Sequence, residues 1–217
     1  MKPGQISGWP GLRCLQRLAL ACLCLLGLAL NAAPARAATV QVQVLDGAGK
    51  PLADAVAFLE SREARAASRP AQGAEMAQTA KQFDPKVLVV PVGTSVQFPN
   101  RDTVRHHVYS FSAAKPFELK LYAGSAANPV VFDKTGVAVL GCNIHDNMTA
   151  WVVVVETPYY GRSAAPGKVV LANVPAGSYS LRVWHPALAP GAAALEQPLV
   201  VGTGEAVATV RMIGLTP

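Results

Sequence analysis

Beyond residue 38, apolar side chains recur at every second position in short runs, and no segment sustains a long helical apolar period. Thr39-Val40-Gln41-Val42-Gln43-Val44-Leu45 places its valines on one face of an extended chain and its polar residues on the other. That is the pattern of a half-buried strand. Tyr179-Ser180-Leu181-Arg182-Val183-Trp184 repeats it with the apolar side chains on odd positions, and His107-Val108-Tyr109-Ser110-Phe111 alternates again. Between such runs lie clusters of turn formers, among them Asp46-Gly47-Ala48-Gly49-Lys50-Pro51 and Asn173-Val174-Pro175-Ala176-Gly177-Ser178. Short strands at these intervals predict an all-β sandwich architecture.

The strands fall into three blocks. The first covers residues 38–60. Residues 61–74 are rich in Ala, Arg and Ser and carry Pro70 and Gly73, which predicts a surface linker. The second block, 75–157, holds Val87-Leu88-Val89-Val90-Pro91-Val92, the turn at Gly93-Thr94, Ser95 to Asn100, Val137 to Leu140 and the apolar run from Trp151. The third, 158–217, holds Gly167 to Leu171, Tyr179 to Trp184, Leu199 to Val201 and Ala206 to Met212.

The first 37 residues have a different logic. Lys2, Arg13 and Arg17 precede an apolar core from Leu18 to Leu30, and Ala35-Arg36-Ala37 has the small-x-small form of a cleavage site. This predicts a secretory signal peptide, periplasmic export and a mature chain beginning at Ala38, with no membrane span left in it. Cys14, Cys22 and Cys24 leave with that segment, so Cys142 becomes the lone thiol. One cysteine in an oxidising compartment makes no internal disulfide, and metal ligation is a reason for it to persist. Charge says less. Four of the nineteen basic residues (Lys2, Arg13, Arg17 and Arg36) lie in the signal, which leaves fifteen against thirteen acidic ones. No basic run alternates with aromatics, so nothing marks a nucleic-acid surface.

Cys142 opens the run Cys142-Asn143-Ile144-His145-Asp146-Asn147-Met148, and a pair of histidines, His106 and His107, stands some three dozen residues upstream. One thiolate, two imidazoles and a weak thioether form the ligand set of a type 1 copper site, where softness suits Cu(I) and imidazole suits both oxidation states. Cys-x2-His-x2-Met places three of these donors on one tight loop. Zinc also takes Cys and His, but Met is a poor zinc ligand. A Cys142–His145 nucleophilic pair lacks a Gly-rich oxyanion elbow and an orienting acid, so an enzyme is not expected.

Residues 75–157 resemble the cupredoxins, the family of plastocyanin, pseudoazurin and amicyanin. The resemblance rests on Phe83-Asp84-Pro85 through Val96, on Asn100 followed six residues later by His106, on Phe132-Asp133-Lys134-Thr135-Gly136 leading to Cys142, and on the short ligand loop, which is most similar to the amicyanin type. Residues 38–60 and 158–217 resemble two parts of a transthyretin-like, or carboxypeptidase-regulatory-like, β-sandwich. The whole mature chain resembles the methylamine-utilisation family of periplasmic cupredoxin-like proteins. These resemblances imply a cupredoxin Greek-key β-sandwich inserted into a smaller second sandwich. They also imply one copper ion held by His106, Cys142, His145 and axial Met148, and single-electron exchange with redox partner proteins. The rival function is a copper carrier or sensor without redox turnover.

One position departs from the family pattern. Cupredoxins usually carry Asn directly after the first ligand His, and here His107 stands there. Adjacent strand residues face opposite sides, so only one of the pair can face a metal, and the Asn100 spacing selects His106. Met76 and Met212 are expected in the core, Trp151 in a strand, and His185 at a strand end.

Overall fold

The computed structural model describes residues 37–125 and 128–216. The expected signal peptide lies outside the described residues, apart from Ala37. Among the described residues no helix is long and apolar enough to cross a membrane. In chain order the elements begin with β1 (Ala38–Leu45), β2 (Val56–Glu60), a short helix α1 (Arg62–Ala67), β3 (Ala74–Glu75), β4 (Ala77–Thr79), β5 (Gln82–Asp84) and β6 (Val87–Pro91). They continue with β7 (Thr94–Gln97), β8 (Pro99–Asn100), β9 (His106–Ser110), β10 (Phe117–Tyr122), β11 (Gly124–Ser125), β12 (Val130–Phe132), β13 (Gly136–Cys142) and β14 (Thr149–Val155). The last are β15 (Tyr160–Arg162), β16 (Lys168–Val174), β17 (Gly177–Trp184), β18 (Leu195–Val201) and β19 (Ala206–Arg211).

Alternation decides β1. Val40, Val42 and Val44 are fully buried while Thr39, Gln41 and Gln43 stay partly exposed. The strand pairs antiparallel with β16 and parallel with β19, so the first block joins the third and not the sheets of residues 74–155. Facing this three-stranded sheet is a second one ordered β15-β2-β17-β18. Pro198 sits in β18, which is an edge strand, where its missing N–H costs no ladder bond. Val40, Val42, Leu59, Leu171, Leu181 and Met212 fill the core between the two sheets.

Residues 74–155 form the other sandwich. One layer is the five-stranded sheet β10-β9-β13-β14-β6, with β14 and β6 parallel. The opposite strands split into β12-β7-β3 and β11-β8-β4-β5, because the strand expected from Ser95 to Asn100 breaks at Phe98. Met76, Phe98, Phe132, Leu140 and Val152 pack between them. A third buried cluster joins the sandwiches: Val56, Phe58 and Trp184 meet Val87, Val153 and Val155.

The expected linker is partly helical. Ser61 caps α1 by accepting from the Ala64 N–H at 3.0 Å, which satisfies one of the free donors of the first turn. Arg65 then pairs with Glu156 at 2.9 Å. The helix ends at Ser68, before Pro70, and Ala74 already belongs to β3.

Candidate metal centre

Three chain segments meet at one end of the 74–155 sandwich. His106 is the first residue of β9, and its ring points inward while His107 points out, as the alternation of the strand requires. Cys142 is the last residue of β13, held beside β9 by the Cys142–Val108 pairing. The loop after it turns tightly: the Met148 N–H donates to the His145 carbonyl at 2.9 Å, and this brings the His145 ring back over the cysteine.

The donor atoms of His106, Cys142 and His145 all lie within 4.8 Å of one another. Cys142 Sγ is 3.6 Å from His106 Nδ1 and 3.8 Å from His145 Nδ1. Sulfur and imidazole nitrogen bound to a single ion at about 2.3 and 2.0 Å would sit roughly 3.7 Å apart at trigonal angles. The two sulfur–nitrogen spacings therefore match those of donors on one small metal ion. His106 and Cys142 are buried, and the His145 ring is partly exposed. Met148 is buried in the same core cluster as Cys142.

His107 takes no part in this convergence. Its Nε2 lies 2.8 Å from Glu118 on β10, and its carbonyl accepts from the Asn143 N–H at 3.2 Å. The two ligand segments are thus joined by backbone where the family pattern has an asparagine side chain. Asn100 braces the first segment instead: its amide donates to the carbonyls of Val104 and Tyr122 at 2.8 and 3.0 Å, and its oxygen accepts from the Asp102 N–H at 2.9 Å.

Two groups near the site were not legible as site residues. Asp102 Oδ2 is 2.8 Å from His106 Nε2, and the same carboxylate accepts from the N–H groups of Ala80 at 2.6 Å and Lys81 at 2.9 Å. Burial pushes the Asp102 carboxyl upward, but the bonds from Lys81, His106 and Ala80 outweigh it and hold the group below its ordinary value. Ala80 and Lys81 form the two-residue turn between β4 and β5, and both have positive φ, 51° and 58°. Such turns favour Asn-Gly, and a side chain in this conformation costs about 1–2 kcal/mol. The one sequence signal by which Asp102 could have been found is an acidic residue four positions before His106. The second group is Tyr122, whose hydroxyl lies 2.7 Å from the Phe98 carbonyl and 2.8 Å from Gln78 Oε1. Burial pushes its phenol up to about 12; the Gln78 bond opposes this and the nearby Cys142 adds to it. Nothing in its sequence neighbourhood marks Tyr122.

His185 and the methionines outside the loop lie elsewhere. Met76 and Met212 are fully buried in the two cores, and His185 bonds the Ala53 carbonyl at the end of β17.

No protein-family model matches the chain, and no curated protein matches it. Solved structures do. The chain is similar to a purple cupredoxin from Nitrosopumilus maritimus, with 26% identity over 38% of this chain and 99% of that one, at a TM-score of 0.34. It is similar to a reduced amicyanin variant, with 26% identity over 46% of this chain and 98% of that one, TM-score 0.35. A copper-containing nitrite reductase from Thermus scotoductus SA-01 matches 52% of this chain and 28% of its own length, at 23% identity and a TM-score of 0.36.

Proposed function

We propose that this protein is a type 1 copper protein that carries single electrons between redox partner proteins. The observation that carries the reading is the convergence of Cys142 Sγ with two imidazole Nδ1 atoms at one end of a packed sandwich, with Met148 buried in the same core cluster as Cys142. Copper bound there supplies a one-electron couple, and the mixed soft and imidazole donor set favours neither oxidation state strongly. His106, Cys142 and His145 would be the strong ligands of the ion, and the Met148 thioether would be a weak one that tunes its potential. The β9–β13 pairing fixes the spacing of His106 and Cys142, so the donors have little room to rearrange when the charge changes. Cys142 and Met148 share a buried apolar cluster with Leu140, Ala150 and Phe98, which keeps that side of the site dry. The partly exposed ring of His145 gives an electron its shortest way to the surface.

The reading extends to the rest of the chain. Export to the periplasm, a supporting role for a transthyretin-like second sandwich, and kinship with the methylamine-utilisation family are parts of the same proposal.

Visible and paramagnetic-resonance spectra of the copper-loaded protein test it. Cu(II) should give an intense thiolate charge-transfer band, Cys142→Ser should abolish it, and Met148→Leu should keep copper while shifting the potential. Stoichiometric copper binding without reversible oxidation would replace the electron carrier with a copper carrier or sensor. Full colour in Cys142→Ser would end the copper–thiolate reading.

A further inference from the structure

We infer that Asp102 is a positioning residue that ties the first metal ligand, His106, to the β4–β5 turn. The inference rests on the metal reading given above. An ionised carboxylate accepts hydrogen bonds and donates none. With Asp102 Oδ2 at 2.8 Å, His106 Nε2 therefore carries the ring proton, and the lone pair of the neutral ring is left on Nδ1, the atom 3.6 Å from Cys142 Sγ. The carboxylate both selects the ligating tautomer and aims the ring, which is how carboxylate–histidine pairs act behind metals.

Asp102 is itself held from the other side. The N–H groups of Ala80 and Lys81 both point at its carboxylate because two successive residues adopt positive φ, and neither is glycine. Its own N–H is fixed by Asn100. The ligand ring, the carboxylate and the turn form one rigid chain of bonds reaching from β9 to a hairpin in the opposite layer of the sandwich. The Ala80-Lys81 turn is in this sense part of the metal site, although neither side chain is a ligand.

The test begins with metal-free wild-type protein. Nitrogen chemical shifts of His106 should show the Nε2–H tautomer, and an Nδ1–H tautomer there would overturn the inference before any variant is made. Asp102→Asn should mix the tautomers and lower copper affinity about 10–100-fold, the usual loss for a carboxylate partner of a ligand histidine. The control is Asp102→Asn combined with Ala80→Gly and Lys81→Gly, which supplies a turn that needs no carboxylate. Thermal stability should recover in that chain and copper affinity should not. Full recovery of affinity would show that Asp102 acts only by shaping the turn, and the inference would fall. A wild-type protein that takes up no copper, yet whose His106 tautomer follows Asp102, would remove the copper reading and keep the positioning role.

Discussion

Among the described residues, the sandwich of residues 74–155 buries Gln78, Thr94, Asn100, His106 and Ser110 among its apolar side chains, whereas the sandwich built on β1, β2 and β15–β19 buries Ser163, in the short loop after β15, and Thr157 is buried in the connection between the two. Ser163 is fully used: its hydroxyl accepts from the Ala55 N–H at 2.9 Å and donates to the Leu52 carbonyl at 2.8 Å. The polar groups of the other sandwich are less economical and several converge on one end, where Asn100 and His106 hold the ligand segments. Buried polar groups are tolerated only with partners. A core that concentrates them gives up uniform packing for a defined arrangement of donors. One core is packed mainly from apolar side chains, and the other gives part of its volume to polar groups in fixed places.

Matched cavities probe that contrast most strongly. Leu181 and Leu140 are both fully buried, one in each core. Truncation of either to alanine should cost about 2–5 kcal/mol in denaturant unfolding. Leu181→Ala should leave the copper spectrum of the folded protein unchanged, whereas Leu140→Ala, two residues before Cys142 on β13, should shift it. Equal spectral changes in both variants would break the division between scaffold and site.

Gly167 tests the scaffold side further. It has φ +79°, and a Cβ there would lie 2.6 Å from the Val44 carbonyl oxygen and 2.8 Å from the Leu52 N. Both are backbone atoms and cannot swing away. Gly167→Ala should cost roughly 1–3 kcal/mol, with no spectral consequence. A variant as stable as the wild type would show that the β1–β16 connection tolerates movement.

On the site side, Tyr122→Phe removes the single hydroxyl whose one proton is shared between the Phe98 carbonyl and Gln78 Oε1, and which is the only hydrogen-bond partner of the buried Gln78 side chain among the described residues. The expected loss is about 1–3 kcal/mol, together with a small spectral shift, because Tyr122 pairs with His106 across β9 and β10. Stability loss with no spectral change would place Tyr122 outside the influence of the site.

The smallest effect concerns pH and the scaffold. His185 Nδ1 accepts from the Ala187 N–H and Nε2 donates to the Ala53 carbonyl, both at 3.0 Å, so the neutral ring is fully matched. Burial lowers its proton affinity, the Ala53 bond and Asp54 oppose that, and Lys86 adds to it. A depressed folded value means that this stabilisation is complete above the ordinary value of 6.5 and is lost as pH falls through the folded one. Thermal melts should bend downward below about pH 6.5, and His185→Gln should flatten that part of the curve. An unchanged curve would assign the acid sensitivity elsewhere.

Legibility followed local pattern. The Thr39–Leu45 alternation foretold the burial of the β1 valines, and the Cys-x2-His spacing with His106 upstream singled out three side chains whose donor atoms lie within 4.8 Å of one another. The choice of His106 over His107 followed from the two-residue period of a strand. What stayed hidden depended on partners remote in sequence. Phe117–Tyr122 is half exposed and edges its sheet, so its pattern is weak alone, and Tyr122 acquires meaning only through Gln78, 44 residues earlier. Asp102 went unread because its clamp runs to the N–H groups of Ala80 and Lys81, some twenty residues earlier. The helix after Ser61 was obscured by Pro70, which follows its end.

The parallel pairing of β1 with β19 has a consequence for the order of folding. Val40 lies beside Ala206, so the scaffold sandwich cannot close until nearly the whole chain has been made. Loop-closure entropy grows by only about 0.6 kcal/mol per doubling of loop length, yet contacts so distant in sequence are slow to form. The interior sandwich needs no strand from either end of the chain for its sheets. Once folded, it draws residues 74 and 155 together through the β3–β7 and β14–β6 pairings and leaves a far shorter search for the outer strands. The sandwich that carries the candidate metal centre is in this way a folding template for the one built from the two ends of the described chain.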